Sequence, residues 1–180
     1  MTPESTRIHL GCGGKLLPGF VNCDLANNWS GVLPDVACDV TGPLPFPTDH
    51  ADEVHAYHLL EHIQRYEAND VLREWMRILK PGGLLVLELP CLDKIVRTYA
   101  HHLIDGSEPD LRMTLWGLFG DPKYKNAEMM HKWCWSVQEL GDTLYMIGLE
   151  NVTVEKPQTH QPGRDMRMTA RKPWPPTTAH

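Results

Sequence analysis

Residues 7–25 read "RIHLGCGGKLLPGFVNCDL", and the organisation of the whole chain follows from this stretch. "RIHL" is a short apolar strand that runs into a glycine turn, and "FVNCD" is a second strand ending in an acid. Gly11, Gly13 and Gly14 stand where backbone must come close to a ligand, with Cys12 among them, because glycine has no Cβ and tolerates positive φ. Asp24, followed by Leu25, is an acid suited to accept both hydroxyls of a ribose. Only about ten residues separate Gly13 from Asp24, whereas a dinucleotide site expects roughly twenty. Pro18 and Gly19 leave no room for a helix, so the first crossover is a bare loop or a single turn. A pyrophosphate needs the free amides of a helix N-terminus, and this loop offers few. The stretch therefore suits a nucleoside ligand without phosphates.

Working outward, "DVACDV" (35–40) is a third, short strand ending in Asp39 and Val40, with Asp39 placed to meet an adenine amine either itself or through the neighbouring backbone. A Pro-rich loop, "TGPLPFPTDH", leads into "ADEVHAY" (51–57), the fourth strand. Val71, Leu72, Trp75, Ile78 and Leu79 recur at helical spacing over 66–79. "KPGG" stops that helix, and "LLVLEL" reads as a central strand of a parallel sheet. Residues 91–118 are helical in two pieces broken around "DGSEPD". Ser136 and Glu139 form a capping box for a helix that ends near Gly148. "NVTVEK" and "DMRMTARK" alternate as two exposed-face strands pairing antiparallel. The pattern implies an open, doubly wound α/β sheet, with ligands outside the carboxyl ends of its strands.

The totals exclude several classes. A chain of 180 residues with 42% hydrophobic and 22% charged residues is an ordinary globule, and a net charge of -6 offers no field for nucleic acid or anionic lipid. No apolar run is long enough to span a bilayer, and "MTPESTRIHLG" lacks the apolar centre of a signal peptide. The five cysteines are irregularly spaced, with no C-x-x-C. Reduced thiols and a cytoplasmic location are expected.

The segments "IHLGCGGKLLPGFVNCDL", "DVTGPLPFPTDHADEVHAYHLLEHI" and "REWMRILKPGGLLVLELP" resemble, in order, the class I S-adenosylmethionine-dependent methyltransferases. The likeness is to the small bacterial and phage members of the methyltransferase type 11 kind, whose first crossover is short. "HKWCWS" and "H-x-x-x-RDMRMTARK" resemble that subgroup more loosely. The resemblance implies a Rossmann-like seven-stranded sheet, mostly parallel with an antiparallel last strand. It implies one methyltransferase domain over 1–172 with a variable acceptor or lid segment over about 105–135, while "PWPPTTAH" (173–180), which has no pattern, is expected to be a disordered tail. Gly11, Cys12 and Gly13 would lie beside the methionine part of S-adenosylmethionine, Asp24 and Leu25 at its ribose, and Asp39 and Val40 at its adenine. Tyr57 and His58 would lie near the sulfonium, and S-adenosylhomocysteine would be the product. The glycine turn is shorter than the family's G-x-G-x-G, and no segment matches an acceptor motif. A small-molecule or glycan acceptor is expected, with no nucleic-acid or membrane partner. A catalytically silent methyltransferase-like partner protein is the alternative.

"HLLEH" (58–62) competes for a different reading. Its H-x-x-E-H order is that of inverted zinc peptidases and requires both histidines on one helix. The strand running to Tyr57 puts His58 at a strand end and His62 in the turn beyond, so no metal site is expected and zinc hydrolysis is a remote alternative. Glu61 and His62 are expected to pair and fix the loop. His58 and His131 are the candidate bases for deprotonating an acceptor. Trp116, Phe119, Tyr124, Trp133 and Trp135 either line an acceptor pocket or pack a lid.

Overall fold

The computed structural model describes residues 5–175. Its strands are β1 (Arg7–Leu10), β2 (Val21–Asp24), β3 (Val36–Ala37), β4 (Ala51–Tyr57), β5 (Leu79–Pro90), β6 (Glu150–Glu155) and β7 (Asp165–Arg171). They form one seven-stranded sheet in the order β3-β2-β1-β4-β5-β7-β6. The winding reverses between β1 and β4, and the carboxyl ends of those strands frame the crevice where α/β sheets hold ligands. β1 to β5 run parallel, and β7 is antiparallel to both β5 and β6.

The crossover from β1 to β2 carries no helix, as Pro18 and Gly19 require. Asn22 holds it instead. Its amide accepts from Leu17 N–H at 2.8 Å and donates to the Leu17 and Phe20 carbonyls and to Asp35. One buried side chain thus satisfies backbone that a helix would otherwise have paired.

Among the described residues four α-helices follow: α1 (Arg65–Ile78), α2 (Leu92–Asp105), α3 (Leu115–Phe119) and α4 (Val137–Met146). α1 buries Ala68, Val71, Leu72, Trp75 and Ile78 along one face, the stripe that its periodicity predicts. Trp75 is fully buried and donates its indole N–H to the Val40 carbonyl at 2.9 Å. Truncating such a side chain typically costs about 3–5 kcal/mol. Glu74 and Arg77 also clamp the Pro-rich loop through Leu44 and Phe46. α4 brings Leu140 and Leu144 into the same core cluster as α1 and the inward residues of β1, β4, β5 and β7.

Strand side chains alternate between faces, so the opposite face takes His9, Asn22, His55, Glu88, Arg167 and Thr169, all buried and polar. They are satisfied largely by one another: Arg167 reaches Glu88 and Glu155, and His55 lies between Tyr57 and Glu53.

Four local expectations change. "DVACDV" forms only the two-residue β3, whose pairing with β2 closes on the bond from Cys38 N–H to the Asp24 carbonyl. "KPGG" lies within β5 as an irregular segment, its Gly82 N–H donating to the Lys172 carbonyl. β7 is buried along most of its length rather than exposed on one face, because it is inserted between β5 and β6. The α4 capping box is half made. Ser136 accepts from Glu139 N–H, while the Glu139 carboxylate turns to Arg65 and Trp133. Of the tail expected over 173–180, residues 176–180 lie outside the described residues. Trp174 lies against Gly82, with its ring 2.8 Å from where a Cβ would stand.

Candidate active site

A cavity of about 720 Å³ opens at the carboxyl ends of β1 and β4. One wall is the glycine turn. Gly11 has φ +65°, and a Cβ there would stand 2.7 Å from Leu59; Gly13 has φ +51° and lies under the Trp29 indole. Neither position accepts another residue without strain, and the surface left bare is a cradle for a ligand. Asp24 braces this wall: its carboxylate accepts from Gly13 N–H at 2.6 Å and from Leu25 N–H at 2.7 Å. Cys12 is buried, and burial, reinforced by Asp24, pushes its thiol up to about 11. It stays protonated and has no nucleophilic role at neutral pH.

Among the expected cofactor residues, Gly11, Cys12, Gly13, Tyr57 and His58 line the cavity. Asp24 and Leu25 lie behind the turn. Asp39 and Val40 are outside the lining: Asp39 is exposed and caps Thr41, and Val40 is buried with its carbonyl on Trp75. Trp116 and Tyr124 face the cavity, and Tyr124 meets Trp29 edge to face at 5.3 Å. Trp135 is instead fully buried in the core, Trp133 bonds Glu139, and Phe119 is exposed. The aromatic segment thus divides between lining and packing.

The far wall is built from "HLLEH". His58 directly follows β4 with φ +51°, its N–H donating to the Glu88 carbonyl at 2.7 Å. Its Nδ1 lies 3.1 Å from Glu61 Oε1. Its Nε2 lies 3.2 Å from Asp165 Oδ2, an ion-pair distance without the alignment of a good hydrogen bond. Burial alone would discharge this imidazolium, but its pairing with Asp165 and Glu61 raises its pKa to about 9. Burial opposes ionisation of the two carboxylates as well, yet pairing with His58, and for Asp165 also with Arg164, holds each at about 2. At neutral pH His58 is a cation between two anions, with no lone pair to offer, contrary to the base role expected for it.

Glu61 pairs with His58 and not, as expected, with His62. His62 lies in a 3-10 turn (Leu60–His62), its Nδ1 3.2 Å from the Met130 carbonyl. His131 reaches the same corner from the other side of the cavity. Lys132 and Trp133 donate their backbone N–H groups to the Glu61 carbonyl, and His131 N–H donates to the Phe119 carbonyl. The His131 ring sits edge to face on His62 at 4.9 Å, with Nδ1 2.9 Å from the Gly117 carbonyl. Burial lowers its pKa, which keeps the ring neutral. Sequence reading missed Trp29 and Asp165. Asp165 is fully buried and also receives Arg164 Nε at 2.6 Å. Its only signal was the "RD" opening the last strand.

Residues 9–87 match the family model described as a methyltransferase domain. The fold is similar to a SAM-dependent methyltransferase from Archaeoglobus fulgidus, with 17% identity and a TM-score of 0.61 over 93% of this chain and 86% of that one. One from Methanosarcina mazei gives 17% identity and 0.62 over 94% and 93%. No curated protein matches the chain. The glycine cradle, with Asp24 behind it, fits a nucleoside cofactor that carries no phosphate. Residues 9–87 thus resemble a methyltransferase domain in sequence, and the described residues share the fold of these two SAM-dependent methyltransferases.

Proposed function

We propose that the protein transfers the methyl group of S-adenosylmethionine to a small-molecule or glycan acceptor. One observation carries this reading: the glycine turn and the Glu61–His62–His131 corner line the same cavity. Its volume of about 720 Å³ falls among those of small-ligand sites, typically about 300–1,000 Å³. S-adenosylmethionine supplies a methyl group on a good leaving group. The chain's own task is to position the acceptor and exclude water. Gly11 and Gly13 let backbone approach the cofactor, and Asp24 is the acid for its ribose. Trp29 and Tyr124 close over the turn, and the segment around 105–135 acts as the lid. His131, neutral and anchored through Nδ1, faces the acceptor. The aromatic walls suit a flat or sugar-like acceptor, and the net charge of -6 disfavours nucleic acid.

Thermal unfolding with S-adenosylmethionine, S-adenosylhomocysteine and NAD in parallel tests this reading. A ligand at a hundred times its Kd adds about 2.7 kcal/mol, or roughly 5–10 °C for a domain of this size. Both sulfur ligands should shift the transition and NAD should not. A flat response to all three would leave a methyltransferase fold without the activity.

A further inference from the structure

We propose that Glu61, His62 and His131 form a binding site for a divalent transition-metal ion, zinc or a similar borderline cation, on the acceptor side of the cavity. Each residue offers one ligand atom, and the three atoms lie within 4.8 Å of one another. Tetrahedral ligation at about 2.1 Å would bring such atoms to roughly 3.4 Å apart, a contraction that side-chain rotation supplies. The site has two supports besides proximity. Glu61 is 1% exposed, and its Oε2 is buried without a hydrogen-bond partner, while Oε1 is held by His58. An orphaned carboxylate oxygen in a protein interior is costly, and a cation would satisfy it.

The second support is the orientation of the two imidazoles. His62 Nδ1 meets the Met130 carbonyl and His131 Nδ1 the Gly117 carbonyl, so each ring donates there and keeps its Nε2 lone pair free. A backbone acceptor on the far nitrogen is the outer-shell arrangement that fixes a ligating histidine. Two imidazoles and a carboxylate select zinc, iron, manganese or cobalt over magnesium or calcium. Three protein ligands leave coordination positions open, as catalytic sites do.

This inverts the "HLLEH" reading. His58 is not a ligand but the residue that turns Glu61 toward the metal, and the third ligand comes from residue 131. The acceptor class follows, resting on the methyl-transfer reading above: a hydroxyl-bearing molecule. Its oxygen would take an open position, where the metal lowers its pKa, and its proton leaves to solvent. The oxygen then forms the C–O bond as the C–S bond breaks, the electron pair staying on sulfur.

The test is cobalt titration of chelator-stripped full-length protein, followed by visible d–d absorption, with zinc as competitor. Calorimetry with S-adenosylmethionine on the metal-free protein runs beside it. About one equivalent of cobalt should bind and be displaced by zinc. His62→Ala and His131→Ala should each weaken cobalt binding by about a hundredfold or more, at least the loss seen when an outer-shell partner is removed, and keep their melting temperature. Absence of cobalt binding in the wild type, or equal binding in both variants, overturns the site. Metal binding that follows these residues in a protein blind to S-adenosylmethionine supports the site and overturns the methyl-transfer reading.

Discussion

The two walls of the cavity are made in different ways. The wall proposed for the cofactor comes from consecutive residues, Leu10 to Leu25, and its shape is mostly backbone: two glycines at positive φ, braced by an aspartate eleven residues from the second. The wall proposed for the acceptor comes from His58, Glu61 and Asp165, with the neutral His131 beside them, and its shape is made mostly of side-chain charge. A wall of backbone tolerates no Cβ but needs few partners. A wall of buried charges works only while every partner is present, because each ion is paid for by its counter-ion. Substitutions should therefore act on folding and chemistry at the acceptor wall and on ligand affinity at the cofactor wall.

Asp165→Ala should have the largest effect. It leaves His58 and Arg164 facing a buried gap, and breaking such a pair costs about 3–5 kcal/mol. Urea unfolding measures it; a loss below about 1 kcal/mol would mean that the acceptor wall does not depend on its charges. Next comes pH. His9 is buried, and burial lowers its pKa from 6.5 to about 4. A depressed folded-state value means that the unfolded chain takes up protons first as pH falls below 6.5. The stability due to neutral His9 is thus complete above that pH and lost on the way down to about 4, with about 3 kcal/mol as the upper bound. Burial lowers the pKa of His55 and His160 in the same direction. Unfolding curves at pH 7.5 and 5.0 should separate more for the wild type than for His9→Asn; equal separations would assign the acid sensitivity elsewhere.

His131→Ala should lower turnover about a hundredfold, the scale of a lost acid–base or ligand group, while leaving cofactor affinity and melting temperature in place. Unaltered turnover, or a fall in stability, would assign His131 to packing. Asp24→Ala tests the other wall. Charge-assisted hydrogen bonds of about 1.5–3 kcal/mol correspond to a ten- to hundredfold loss of S-adenosylmethionine affinity in a folded protein. Calorimetry that finds the affinity unchanged would move the ribose away from β2.

The sequence alone determined what depends on neighbours in the chain. The β1–turn–β2 unit, the bare crossover, the α1 stripe and the end of β4 at Tyr57 were all legible, because glycine φ, proline geometry and apolar period act within a few residues. The family resemblance carried the cofactor with them. Tertiary structure decided which distant groups met. Glu61 turned to His58 and not to the adjacent His62, because β7 delivered Asp165 to the other side of the His58 ring and the pair of carboxylates made a cation there favourable. His131 came to His62 because the Glu61 carbonyl captured Lys132 and Trp133. β7 became a buried strand because it entered between β5 and β6, a placement its alternating pattern could not announce. Local periodicity says which face a residue takes. The partner waiting on that face is set by loops that close only when the sheet is complete.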